Sequence, residues 1–158
     1  MSDIFFEVRD VSKSFPGVKA LNRVSMSIAH GEVRALVGEN GAGKSTLMKI
    51  LNGNYKADEG ALYIDGAEVH ITDPTVAAQN GISIIFQELN LVSGLSIAEN
   101  IFAGRLSEDG KPIRWREIRK KAKEYLDRIG FDIDPRTEVG ELSVAGKQMV
   151  EIAKALSY

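Results

Sequence analysis

The chain has 158 residues, 44% of them hydrophobic and 27% charged, with a net charge of −2. That is enough to bury one core, and too nearly neutral to give an electrostatic case for binding nucleic acid. The absence of cysteine excludes disulfides and thiolate metal sites, the two histidines are too far apart for a zinc site, and neither a membrane-length apolar run nor a secretory leader is visible, which points to work in the cytosol or against a membrane from that side.

The first elements read as β structure. Ile4 to Val8 and Val24 to Ile28 alternate apolar and polar residues as half-buried antiparallel strands do, with Phe15-Pro16-Gly17 as a turn between them. Glu32-Val33-Arg34-Ala35-Leu36-Val37 reads as a buried strand. It runs into Gly38-Glu39-Asn40-Gly41-Ala42-Gly43-Lys44-Ser45, a full match to the pattern G-x-x-x-x-G-K-[ST], and Thr46 to Leu51 reads as the helix leaving it. Strand, glycine loop and helix in that order form the setting in which this pattern holds a nucleoside triphosphate. Gly38, Gly41 and Gly43 let the main chain approach phosphates without a Cβ in the way and turn successive N–H groups into one anion nest. The helix start near Lys44 adds the positive end of its dipole. In such a loop Lys44 bridges the β and γ phosphates, and the Ser45 hydroxyl takes one site on an octahedral Mg2+ that keeps several waters.

Beyond the loop, Gly53-Asn54-Tyr55 ends the helical period, and Ala61-Leu62-Tyr63-Ile64 with Asp65-Gly66 reads as a strand entering a hairpin. Asp73-Pro74 predicts an N-cap and a short helix to Asn80. Gly81 opens the β-branched run Ile82-Ser83-Ile84-Ile85-Phe86, expected in the sheet beside the loop strand. Ser96-Ile97-Ala98-Glu99 is a capping box that starts a helix carrying Ile97, Ile101 and Phe102. Trp115, Ile118, Ala122, Tyr125, Leu126 and Ile129 recur at helical spacing, with Arg119, Lys120, Lys121, Lys123 and Glu124 on a solvated face, until Gly130 closes the helix. A last helix, Ser143 to Leu156, should place Met149, Ile152, Ala153 and Leu156 on one side. Loops around Glu108-Asp109-Gly110 and Asp134-Pro135-Arg136 are the candidate linkers. His30 and His70 read as ordinary surface or turn residues.

Several of these separated segments together resemble the ATP-binding cassette (ABC) ATPases, and within them the sugar-import branch. Phe15-Pro16-Gly17-Val18-Lys19-Ala20-Leu21 is similar to the family's A-loop, which implies that Phe15 stacks on adenine. Gln87, in Ile85-Phe86-Gln87-Glu88-Leu89-Asn90-Leu91, is similar to the Q-loop glutamine that reaches magnesium and the attacking water. Leu142-Ser143-Val144-Ala145-Gly146-Lys147-Gln148-Met149-Val150-Glu151-Ile152-Ala153-Lys154-Ala155-Leu156 resembles the signature helix, usually written LSGGQ. That implies that Ser143 and the helix start contact the γ phosphate held by a partner cassette. Here Val144 and Ala145 stand where the common pattern has two glycines, and Gly146 stands one position late.

The resemblance implies an α/β fold: a P-loop NTPase core with an antiparallel β subdomain over residues 1–86, and a Q-loop and α-helical subdomain over residues 87–158. The family's signature helix leads to a Walker B strand ending in Asp and Glu and then to a switch histidine, and the chain reaches Tyr158 before these, so about two-thirds of a first cassette is expected. The apolar faces around Val33, Leu36 and Ile84 should then be uncovered. The implied ligands are ATP and Mg2+, with Lys44 and Gln87 serving catalysis and Ser45 and Gln87 the metal. The implied role is the ATP-hydrolysing subunit of a monosaccharide importer, peripheral on the cytoplasmic face of the membrane. Its partners are a second cassette, a transmembrane permease and, indirectly, an external sugar-binding protein; the chain alone should bind nucleotide without efficient turnover. Two other readings stay open at this point: a cassette ATPase acting on nucleic acid or ribosomes, and a non-catalytic nucleotide-binding module.

Overall fold

The computed structural model describes residues 4–86, 88–107 and 112–158, and the chain divides into two units, Met1–Ile82 and Ser83–Tyr158. Gln87 and the Glu108-Asp109-Gly110 loop lie outside the described residues.

In the first unit β1 (Ile4–Phe15) and β2 (Val18–Ala29) form a hairpin that turns at Pro16-Gly17. β3 (Glu59–Ile64) lies antiparallel on the other side of β1 and continues through Asp65-Gly66 into β4 (Ala67–Val69), so the sheet order is β2-β1-β3-β4. Both hairpin strands outrun the short alternating segments expected, because register shifts at four places interrupt the alternation. Val8 pairs with Met26 and Val11 with Val24, which puts one extra residue on β1, where Asp10 takes φ 49°. Toward the turn the extra residue falls on β2, where Arg23 also takes φ 49°. The bulge at Asp10 resets the phase, so that Val8 and Val11, three positions apart, are both buried. Side chains satisfy the displaced amides: Asp10 N–H donates to Ser25 Oγ at 2.8 Å and Arg23 N–H to Ser12 Oγ at 3.1 Å.

Helix α1 (Lys44–Leu51) lays Leu47, Ile50 and Leu51 against Phe6, Val8, Val11, Leu21 and Leu62 of the sheet. Each such buried side chain contributes about 1.5–3 kcal/mol. α2 (Pro74–Gln79) starts as expected, with the Asp73 carboxylate accepting from the Thr75 and Val76 amides and Pro74 at the first helical position. His30 is exposed and pairs its Nε2 with Asp65 Oδ1 at 2.8 Å, and His70 is exposed too.

Two expected strands are not formed. Glu32 to Val37 carries no ladder, with Val33 98% and Val37 89% exposed, and Ile82 to Phe86 likewise lies outside any sheet. A parallel strand takes its hydrogen bonds from neighbours remote in sequence. Among the described residues neither run has such a neighbour, so apolar composition alone does not make either one a strand. Leu36 is exposed, whereas Ile84 is half-buried.

The second unit is helical: α3 (Ile97–Ile101), α4 (Trp115–Arg128) and α5 (Val144–Leu156), with a single 3-10 turn at Val139–Glu141. The Ser96–Glu99 capping box is complete. Ile97, Ile101, Leu126, Val139 and Val150 are fully buried in one cluster, with Ile118, Tyr125 and Ile129 packed at its margin. Trp115, expected on the buried face of α4, is exposed at the helix start. The face of α5 is rotated from expectation as well. Gly146, Val150, Ala153 and Ser157 are buried while Leu156 is half exposed, because the 146-150-153-157 stripe is the one that meets α3 and α4.

Candidate functional site

The start of α1, like that of α4, carries no side-chain cap. Asp73, Ser96 and Ser143 each give a side-chain oxygen to the first-turn amides of α2, α3 and α5, whereas α1 has Gly43 as its N-cap and no side-chain bond. Lys44, Ser45 and Thr46 therefore present N–H groups without intrahelical acceptors, at the positive end of the helix dipole. Gly43 is required there on two counts. Its φ is +88°, and a Cβ would stand 2.5 Å from the Ala20 carbonyl oxygen and 2.8 Å from Leu21 Cδ2. The hairpin strand β2 thus presses directly on the loop and fixes the height of its last turn.

Lys44 folds back over the loop. Its ammonium donates to the carbonyls of Gly38 at 2.6 Å and Glu39 at 2.7 Å, and the Glu39 carbonyl also accepts from the Ala42 amide at 3.2 Å. These bonds close Gly38 through Lys44 into a ring. Two of the three ammonium donors are used, which leaves one for an anion seated on the ring. Gly41 takes φ 85° at the tip, Asn40, Ala42 and Ser45 are exposed, and Thr46 is half-buried. Ring, amides and ammonium together form a cradle for a polyanion. Among the described residues no group of three or more His, Cys, Asp or Glu could hold a metal ion. A cation at this site would take Ser45 Oγ as a protein ligand and draw others from a bound polyphosphate and water, which suits Mg2+.

Phe15 ends β1 half-buried, with its ring edge-on to Tyr55 at 5.3 Å between centroids. The strand end beside it is tied down by Asp58, which accepts from the Lys13 ammonium and from the Ser14 amide, both at 2.7 Å. Those bonds, the Lys13 one first, hold the Asp58 carboxyl below its ordinary range. In the sequence Tyr55 shows only as part of the Gly53-Asn54-Tyr55 break after α1, and its aromatic character is the signal of this contact.

In the second unit Ser143 caps α5 by accepting from the Gly146 amide at 3.2 Å, and Val144 and Ala145 are exposed at the helix start. Gly146 is a packing glycine: a Cβ there would lie 3.3 Å from Leu142 Cβ and 3.6 Å from the Phe131 ring. The displaced glycine of this stretch therefore has a reason inside its own unit. Gln87 lies outside the described residues. Phe15 and the loop belong to the first unit and Ser143 to the second.

Comparison with known proteins agrees with this geometry. A family model described as ABC transporter matches residues 21–158. The chain is 53% identical over 149 residues to the ribose import ATP-binding protein RbsA of Clostridium perfringens, covering 93% of this chain and 30% of that protein. It is 46% identical over 159 residues to the xylose import ATP-binding protein XylG of Geobacillus kaustophilus, covering 99% of this chain and 32% of that protein. It thus spans about a third of the length of the curated relatives it matches. A solved ATP-binding cassette of an ABC transporter, in its ADP conformation, superposes with a TM-score of 0.84 at 28% identity, over 98% of this chain and 65% of that one. The α/β architecture is accordingly that of a P-loop NTPase cassette.

Proposed function

Because the chain belongs to the ABC transporter family, we propose that it is the nucleotide-binding portion of the ATPase subunit that energises import of a monosaccharide. The observation that carries this is the uncapped start of α1, pinned under β2 at Gly43 and roofed by the Lys44 ammonium. The relatives named for ribose and xylose import supply the substrate class. In this reading the amides of Gly43 to Thr46 hold the β and γ phosphates of ATP, with Gly38, Glu39, Asn40, Gly41 and Ala42 shaping the ring. Lys44 exchanges its bonds to the Gly38 and Glu39 carbonyls for bonds to phosphate, a charge-assisted contact of about twice the strength of a neutral one. Magnesium, held by Ser45 and Gln87, supplies neutralisation of the phosphate charge. Phe15, backed by Tyr55, stacks on adenine.

Gln87 orients the attacking water, and Ser143 with the exposed start of α5 faces the γ phosphate of a second cassette. The permease docks through the helical unit on the cytoplasmic face of the membrane, and an external sugar-binding protein is met only through it. Among the described residues no helix is long and apolar enough to cross a membrane. The chain by itself binds ATP with little turnover, since positioning and charge stabilisation by several further groups are needed for phosphoryl transfer.

Calorimetry with Mg-ATP on this chain tests the site. Binding is expected, weakened at least tenfold in Lys44→Ala, the scale of one lost charge-assisted bond of about 1.5–3 kcal/mol. Gly43→Ala should weaken it comparably by lifting the loop off Ala20. Equal affinity in wild type and Lys44→Ala would overturn the assignment.

A further inference from the structure

The segment that follows Gln87 belongs to no sheet, and its backbone is held in good part by side chains instead. Asn90 N–H donates to Glu151 Oε1 at 2.7 Å, and the Asn90 carbonyl accepts from the Lys154 ammonium at 3.2 Å. Both polar groups of one residue are therefore held by α5, from positions three apart on the same helix face. Two residues on, the buried Asn100 of α3 repeats the arrangement: its Oδ1 accepts from the Val92 amide at 2.7 Å, and its Nδ2 donates to the Val92 carbonyl at 3.0 Å. The Ser93 and Leu95 carbonyls accept from the Gly140 and Val139 amides at 2.8 and 3.0 Å. Asn90, Val92, Ser93 and Leu95 are thus held by bonds drawn from two helices and a 3-10 turn. Glu151 is only 7% exposed, a buried carboxylate to which the nucleotide site gives no task.

We propose that Glu151 is a positioning residue that locks the segment after Gln87 to the helix opened by Ser143, so that the two move as one body. Glu151 lies eight residues into α5 from Ser143, about 12 Å along the axis, and Asn90 follows Gln87 by three residues. A displacement of α5 caused by a nucleotide at its start is then delivered through Glu151 and Lys154 to the backbone beside Gln87. A hydrogen bond from a backbone amide to a carboxylate is short and strong enough to transmit such a shift, where a neutral loop contact would yield. The role in turnover rests on the nucleotide reading above; the lock itself does not.

The test uses the full-length polypeptide, alone and reconstituted with its permease in vesicles, as wild type, Glu151→Ala and Glu151→Gln. Glutamine keeps an acceptor at the same reach, and alanine removes it. In Glu151→Ala the Asn90 amide should exchange with solvent at least about tenfold faster, with the interior amides of α5 unchanged, and Glu151→Gln should restore most of the protection. ATP KM should stay within about twofold while permease-stimulated kcat falls about tenfold in the alanine variant and recovers in the glutamine variant. Unchanged Asn90 exchange in Glu151→Ala would overturn the lock. A parallel loss of α5 protection and of ATP affinity, or a stimulated kcat equal to wild type, would overturn the positioning role. Absence of permease stimulation in the wild type would instead sink the transport reading, and the exchange data would still decide the lock.

Discussion

In Ser83–Tyr158, Ile97, Ile101, Leu126, Val139 and Val150 are wholly buried, while in Met1–Ile82 Val33 and Val37 stand 98% and 89% exposed. Val33 and Val37 are as apolar as Val139 and Val150, so side-chain character does not account for the difference. A helix satisfies its own backbone and needs a partner only for one face, and three helices can close a core between them. A parallel strand needs both edges paired before its side chains can be covered. The three helices of the second unit therefore close a core between them, although Ile85 and Phe86 of that unit stay exposed, and the glycine loop is approached by a run of chain whose order must be supplied by neighbours. What the first unit does complete is the antiparallel sheet and the α1 face beneath it, which suffices to set Gly43 against Ala20.

The sharpest way to break that comparison is Leu126→Ala. Leu126 is fully buried among α3, α4 and α5, and its truncation should cost about 3 kcal/mol through lost transfer energy and a residual cavity. Trp115, the single tryptophan, opens α4 and reports this unit in urea unfolding. A loss below about 1 kcal/mol would show that the helical core is loose and that the contrast with the first unit is overstated.

A smaller effect is expected at the start of α3. Ser96 and Glu99 cap one another, and acceptance from the Ser96 hydroxyl, then from the Ser96 amide, holds the Glu99 carboxyl below its ordinary 4.5. A group whose folded value is depressed contributes stability above its unfolded value, and the contribution is lost as pH falls through the folded one. Ser96→Ala should cost about 1 kcal/mol at neutral pH. The gap between variant and wild type should narrow as the pH is lowered from about 4.5 downward, to the part left by the Glu99 amide's bond to Ser96 Oγ, read from the same urea transition. A gap that persists unchanged at low pH would remove Glu99 from the account.

Much of this was legible because it is local. Asp73-Pro74, Ser96 with Glu99, and Ser143 announce helix starts within four residues, and the structure has all three. The helix directly after the glycine loop was legible for the same reason, whereas the ring that Lys44 closes on the Gly38 and Glu39 carbonyls was not. The bulges at Asp10 and Arg23 were not, because a bulge erases the period that reveals a strand. Nor were the contacts that join distant residues: Phe15 with Tyr55, and Asn90 with Glu151, 61 positions apart. Periodicity also misplaced part of the face of α5: Ala153 is buried as expected, but Met149 and Ile152 match the helical spacing as well as Val150 does, and only the packing of Gly146 under Phe131 selects the stripe through Val150.

The smallest expected effect sharpens the comparison from the other side. Val33→Ser and Val37→Ser replace apolar side chains that are already in water, so the folded state gives up almost no buried area. Each should change the stability of this chain by less than about 0.5 kcal/mol. The polar residues should also lower any tendency to associate through this run, which a sizing column follows directly. In the full-length polypeptide the same substitutions should be far more costly if neighbouring strands cover the run, at about 1–3 kcal/mol each for burying a hydroxyl in place of a methyl. A cost above about 1 kcal/mol in this chain as well would mean that the run is already packed, and the exposed approach to the glycine loop would no longer separate the two units.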